Sequence, residues 1–78
     1  MGPNRVLDCI GLKCPKPIVE MAKMTRKMED GEVLEIHADD PVAENDIPAW
    51  CQTTGNELLK MEDAGGFKKY FVRKVAKL

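Results

Sequence analysis

PKPIVEMAKMTRKMEDGEVLEIHA, residues 15–38, contains two different hydrophobic periods on either side of one glycine. In its first half the apolar side chains are spaced like one face of a helix, with charged residues on the opposite face. That face consists of Ile18, Met21, Ala22, Thr25 and Met28. After Gly31, which is expected to cap the helix C-terminus, apolar and polar residues alternate up to residue 38. The stretch therefore predicts a helix that packs against a half-buried strand.

Further signals predict a strand before this stretch and a second helix after it. Residues 6–9 are rich in apolar side chains and are followed by Gly11, as expected of a short first strand. Asp39-Asp40-Pro41 offers a capping carboxylate and a proline for the first turn of a second helix. We expect Pro48 to offset the regular part of this helix and Gly55 to end it.

The last part of the chain is predicted to form a β-hairpin. Residues 57–63 and 67–75 are the two strands, joined at Ala64-Gly65-Gly66. The inward face of the second strand is undecided, because both of its alternating sets contain apolar residues. The order β-α-β-α-β-β predicts a two-layer α/β sandwich, with a four-stranded mixed sheet, both helices on one face and the other face largely open. The 78 residues form one domain, residues 1–78, because a second core could not be filled.

Composition excludes several classes of function. The 12 basic residues nearly balance the 13 acidic ones, so the net charge of −1 provides no general attraction to nucleic acid or anionic lipid. The basic residues between positions 68 and 77 and the acidic ones between 39 and 46 are expected to be solvated faces. Apolar runs are short and the N-terminus lacks the pattern of a secretory signal, so we expect a cytoplasmic protein with no membrane contact. No cofactor is expected.

The start of the first helix combines a thiol with two prolines. If Cys14 is the N-cap, Pro15 occupies the first helical position and Pro17 the third, where a missing N–H donor carries no penalty. The backbone N–H groups of Lys16 and Ile18 would then be the main free donors at this helix end. We predict that they point toward the Cys14 sulfur.

This arrangement predicts a reactive sulfur. The helix dipole, the Lys16 N–H and the ammonium groups of Lys13 and Lys16 would all favour thiolate over thiol and lower the pKa of Cys14. Gly11 would allow the backbone to bend so that the sulfur protrudes from the end of the sheet. The structural alternative is that Cys14 merely occupies a loop-to-helix junction and Pro15 only begins the helix.

The sequence resembles the TusA/SirA-like sulfur carrier proteins, whose mark is Cys-Pro-x-Pro at the start of the first helix. The matching residues are 7–17, Gly31-Glu32, Ala38-Asp39-Asp40-Pro41, Asp46-Ile47-Pro48, Cys51 and Gly55. The resemblance implies the same two-layer fold and implies that Cys14 carries a sulfane sulfur as a persulfide. A cysteine desulfurase or rhodanese would be the donor and a sulfur-relay protein the acceptor. The pathway stays open among tRNA thiolation, molybdenum cofactor assembly, sulfur oxidation and selenium metabolism.

The other two cysteines and His37 suggest further roles. Cys9 could resolve a Cys14 persulfide by forming a disulfide, which would make the protein a redox or regulatory module. A third possibility is a non-catalytic interaction domain that uses the open sheet face around Val33 and His37. Whichever role applies, the protein is expected to be a monomer or weak homodimer. Cys51 is expected to pack in the core. A zinc site is not expected, because no ligand pair has the usual spacing of about two to four residues.

Overall fold

The computed structural model describes residues 3–75. Its elements follow the predicted order: β1 (Arg5–Asp8), α1 (Lys16–Lys27), β2 (Val33–Ala38), α2 (Ala43–Thr54), β3 (Glu57–Asp63) and β4 (Lys68–Arg73). The sheet has the order β1-β2-β4-β3. β1 is parallel to β2, while β4 is antiparallel to both β2 and β3, so the sheet is mixed. The predicted fold class is confirmed.

The core lies between the two helices and one face of the sheet. β2 turns Leu34 and Ile36 inward, as its alternation predicted, and both are fully buried. β4 turns Tyr70 and Val72 inward, which decides the question that the sequence left open. Phe71 therefore lies on the open face, where the Lys60 ammonium sits 4.7 Å from its ring centroid.

Helix α1 ends earlier than predicted. Its C-cap is Met28, in an extended conformation, and Gly31 lies in the following loop with φ of 90°. The Lys74 ammonium donates to the backbone oxygens of Thr25 and Met28, the latter at 3.2 Å. A cation from the end of the sheet thus satisfies carbonyl groups that a glycine cap would otherwise serve.

Helix α2 begins later than the proline signal suggested. Its N-cap is Val42, and a short turn in which the Ala43 N–H donates to the Asp40 backbone oxygen precedes it. Pro48 is accommodated inside the helix rather than before its regular part. Gly55 ends α2 in the left-handed conformation, with φ of 83°, as predicted.

Two expectations concern the surface of the molecule. Within residues 3–75 no helix is long and apolar enough to cross a bilayer. Lys77, at the end of the basic segment, lies outside the described residues. The other basic residues of that segment are not uniformly solvated, since Lys68 forms an ion pair of 2.6 Å with Glu44 of α2.

Candidate functional site

The candidate site lies at one edge of the sheet, where two loops meet. β1 and β2 are parallel neighbours, with Asp8 opposite His37, so their carboxyl ends point the same way. Residues 9–15 follow β1 and lead into α1, while residues 39–42 follow β2 and lead into α2. Loops that leave adjacent parallel strands at the same edge are brought together by the sheet itself. The Cys14 loop is therefore held against the start of the second helix.

Two aspartates of the second loop hold the backbone of the first. Gly11 has φ of 84° and donates its N–H to Asp39 Oδ1 at 3.0 Å. The Cys14 N–H donates to Asp40 Oδ2 at 2.7 Å. The hydrogen bonds from Cys14 and from the Val42 N–H to Asp40 lower the pKa of that carboxyl group. The bend predicted at Gly11 is present, and carboxylates fix it in place.

The predicted geometry of the helix start is wrong by one residue. Pro15, not Cys14, is the N-cap, so Lys16 is the first helical residue and Pro17 the second. The Lys16 N–H donates to the Lys13 backbone oxygen at 2.8 Å and is not available to the sulfur. The Cys14–Pro15 peptide bond is cis. Pro17 is fully buried. Besides lacking a backbone N–H donor, it therefore packs the first turn of α1 against the core.

The sulfur contacts a carboxylate instead of backbone amides. Cys14 is exposed, and its Sγ donates a hydrogen bond to Asp46 Oδ2 at 2.7 Å. This hydrogen bond raises the pKa of the Cys14 thiol, with smaller contributions from desolvation and from the charges of Asp46 and Asp40. The prediction of a lowered pKa is therefore wrong for this geometry. The side chains of Lys13 and Lys16 are exposed and do not reverse the effect.

The other two thiols lie in the core. Cys9 is fully buried just after β1, and burial raises its pKa to about 11. Cys51 packs on the inner face of α2, as predicted, and burial raises its pKa to about 11 as well. Thiolate is the form that attacks sulfur. Burial thus works against the resolving role considered for Cys9, and that role stays an untested alternative.

His37 lies on the open face of the sheet, opposite to the buried side chains of β2. Its Nε2 is paired with the Glu35 carboxylate, and its ring centroid lies 5.4 Å from that of Phe67. Among residues 3–75, no three or more His, Cys, Asp or Glu side chains are grouped so that they could hold a metal ion.

The aspartates are the residues that the sequence analysis missed. Asp39 and Asp40 were expected to start a helix, and Asp46 to be part of a solvated face. Their partners are Gly11 and Cys14, 26 to 32 residues away along the chain. A usable signal was present in the β-α-β order, because strands joined through a helix are usually parallel, and the loops that follow adjacent parallel strands lie at one edge of the sheet.

This fold and site define a class of small α/β domains that present one exposed thiol immediately before the first helix. The profile of the family described as sulfurtransferase TusA matches residues 5–74, and the chain belongs to this family. It is 42% identical over 74 residues to the putative sulfur carrier protein YrkI of Bacillus subtilis (strain 168), covering 95% of this chain and 99% of that one.

A solved structure supports the fold independently. The crystal structure of a SirA-like protein from Desulfitobacterium hafniense is similar to this chain with a TM-score of 0.80. The similarity covers 92% of this chain and 99% of the other, at 18% sequence identity. At that identity the likeness concerns the backbone architecture alone.

Proposed function

We propose that the protein is a sulfur carrier that accepts a sulfane sulfur on Cys14 as a persulfide and passes it to a partner protein. The observation that carries the proposal is the exposure of this one sulfur. Among the three cysteines, all within residues 3–75, Cys14 is exposed, whereas Cys9 and Cys51 are buried. Membership of the TusA family and the similarity to a putative sulfur carrier support the same role.

The proposed transfer is a thiol–persulfide exchange. Cys14 Sγ attacks the outer sulfur of a donor persulfide, so a new S–S bond forms at Cys14 while the S–S bond within the donor breaks. The donor's inner sulfur leaves as a thiolate and takes up the proton that Cys14 gives up. One thiol and one persulfide exist before and after the step, so no external oxidant or reductant is required.

The geometry suits a carrier. A carrier must present its sulfur to two different partner sites in turn, which an exposed side chain at the tip of a loop allows. Asp40 and Asp39 fix the loop backbone through the N–H groups of Cys14 and Gly11, so the sulfur is presented from a defined position. Lys13 and Lys16 flank it as exposed cations. We propose that they help to attract the anionic persulfide of the donor.

The partners follow from the chemistry of the step. The donor must hold a protein persulfide, as cysteine desulfurases and rhodaneses do, and the acceptor must offer a thiolate to the sulfur on Cys14. We propose that this exchange takes place in the cytoplasm. Pathways that fit are tRNA thiolation, molybdenum cofactor assembly and sulfur oxidation. Acceptor proteins from each, offered the loaded carrier in competition, would identify the destination by which of them gains sulfur.

Intact-mass spectrometry tests the proposal directly. After incubation with a cysteine desulfurase and cysteine, the protein is expected to gain the mass of one sulfur atom, which dithiothreitol removes. Cys14→Ser should abolish the gain. Cys51→Ser serves as the matched control and should keep it, because that thiol is buried away from the donor. Loading that persists in Cys14→Ser, or fails in wild type with both desulfurase and rhodanese donors, would overturn the proposal.

A further inference from the structure

The three aspartates near Cys14 do different things. Asp39 and Asp40 accept hydrogen bonds from backbone N–H groups, those of Gly11 and Cys14. Asp40 is fully engaged, because its second oxygen accepts from Val42 at 3.2 Å. Asp46 instead takes the sulfur itself, through the 2.7 Å contact between Sγ and Oδ2. Asp39 and Asp40 thus fix the backbone of the loop, whereas Asp46 contacts the sulfur itself.

In the hydrogen bond between Cys14 and Asp46, the thiol is the donor and the carboxylate is the acceptor. An ionised carboxylate has only acceptor sites, so the hydrogen bond exists only while the sulfur keeps its proton. Asp46 belongs to the first turn of α2, so the helix backbone rather than a loop sets its position. The charges around the sulfur are those of Asp46 and Asp40, with Lys13 and Lys16 exposed beside them. The free protein therefore holds a neutral thiol.

We propose that Asp46 restrains Cys14: it binds the S–H of the free carrier, and a cationic side chain of the docked donor draws it away and so frees the sulfur. This inference rests on the proposed function of Cys14. Asp46 is half-buried, so a lysine or arginine of a partner can reach its carboxylate. An ion pair there would remove both the acceptor for the S–H and the nearest negative charge. Asp46 is thus a positioning residue that links reactivity to the arrival of the correct partner.

The restraint has a chemical rationale. A permanently ionised, exposed thiolate reacts with oxidants and with small disulfides. A thiol that is released only beside the donor is protected until a sulfur is available. The proton that leaves Cys14 goes to the donor's departing thiolate, so Asp46 need not take it up. Transfer to a carboxylate would be uphill, because carboxylic acids are far stronger acids than thiols.

The first test measures the pH dependence of Cys14 alkylation by iodoacetamide in the free protein. In Asp46→Asn the midpoint should move to lower pH. Each unit of lowered pKa raises the thiolate fraction about tenfold and reduces its intrinsic nucleophilicity about threefold, for a net gain near neutral pH of roughly threefold. Glu44→Gln removes the same charge from the same helical turn, where Glu44 pairs with Lys68, and should leave the midpoint unchanged.

The outcome against the proposal is equally specific. An unchanged or raised midpoint in Asp46→Asn would overturn it, as would an equal shift in Glu44→Gln. Asp46→Ala should behave like Asp46→Asn and guards against an effect of the new amide. Circular dichroism and the urea midpoint of each variant establish that it is folded.

The second test asks whether the donor relieves the restraint. Single-turnover loading of the carrier is measured with a persulfidated cysteine desulfurase and, separately, with glutathione persulfide. Asp46→Asn should speed loading from glutathione persulfide about threefold per pKa unit, as for alkylation, but not loading from the protein. The wild-type preference for the protein donor should fall by the same factor. Equal acceleration with both donors would contradict a role for the donor's cation.

These measurements separate the two proposals. If alkylation shifts as expected but neither wild type nor variant takes up sulfur from either donor, the carrier function fails while the restraint on the thiol stands. If loading on Cys14 occurs normally and the alkylation midpoint does not move, the carrier function stands and the role of Asp46 is wrong.

Discussion

Replacing Val72 by threonine should destabilise the protein far more than the same change at Val6. Both residues lie in strands of one sheet, but Val72 is fully buried against the helices whereas Val6 is 57% exposed on the open face. Threonine has nearly the shape of valine, so the substitution adds a hydroxyl group with little change in volume. The pair therefore isolates the effect of burying one polar group on either side of the sheet.

The magnitude follows from the surroundings of Val72. Its register partners, Leu34 in β2 and Leu58 in β3, offer no side-chain acceptor. Burying an unpaired hydroxyl costs about 1–3 kcal/mol in proteins. A domain of this size has a total stability of roughly 4–12 kcal/mol, so the loss is substantial. Val6→Thr, in contrast, should change stability by less than about 0.5 kcal/mol.

Urea denaturation followed by circular dichroism measures both effects. With an m-value near 1 kcal/mol per M, at the low end for small domains, Val72→Thr should lower the midpoint by about 1–3 M. The midpoint of Val6→Thr should remain close to that of the wild type. An equal loss in the two variants would refute the one-sided core. Repeating the measurement at two protein concentrations would then reveal whether a second copy covers the open face.

Two further predictions concern the thiols and the loop. Native protein should present one accessible thiol, Cys14, to a chromogenic disulfide and three after unfolding, because Cys9 and Cys51 are buried and burial raises the pKa of each to about 11; a second thiol that reacts in the folded state would contradict this. Asp40 has a lowered folded pKa because Cys14 and Val42 donate to it, so its contribution to stability is complete above the ordinary carboxyl value of about 4 and is lost as pH falls through the folded value. The stability difference between wild type and Asp40→Asn should accordingly be largest near neutral pH and shrink in acid; a difference that grows in acid would contradict it.

The parts of the fold that depend on local pattern were predictable from the sequence. The helical spacing of Met21 and Thr25 gave the buried face of α1, and the alternation of Leu34 and Ile36 gave that of β2. Residues 57–63 were predicted with the bounds that the structure has. These predictions are correct because each depends on only a few neighbouring residues. The period of a helix or a strand determines which of their side chains face the core.

Other features depend on contacts between distant residues and could not be predicted locally. Both faces of β4 contain apolar residues, so its register against β2, in which Tyr70 lies opposite the buried Ile36, decides that Tyr70 turns inward and Phe71 outward. The end of α1 was predicted at Gly31 from the usual preference for a glycine cap, whereas the helix ends at Met28, where the ammonium of Lys74 from the far end of the chain binds its last carbonyls. In both cases the deciding partner lies on a different element.

The candidate site illustrates the same limit. The exposed sulfur of Cys14 was predicted from the residues around it, but its ionisation was predicted with the wrong sign. The prolines and lysines beside the thiol favour a thiolate, and the sequence gives no local indication that Asp46 reaches it from another helix. The pKa of a thiol depends on every charge and hydrogen bond around the sulfur, including those from distant parts of the chain. The residues next to it in sequence therefore do not determine its pKa alone.

The hydrogen bonds that cross between the two loops also bear on protein engineering. Transplanting residues 13–17 onto the first turn of some other helix would transfer the nucleophile without its anchors. Asp40 and Asp46, which fix the backbone and hold the S–H, would remain behind. The smallest portable unit is therefore a pair of adjacent parallel strands with the loops that follow them and the first turn of each helix, since no single peptide segment of this chain holds the sulfur in place.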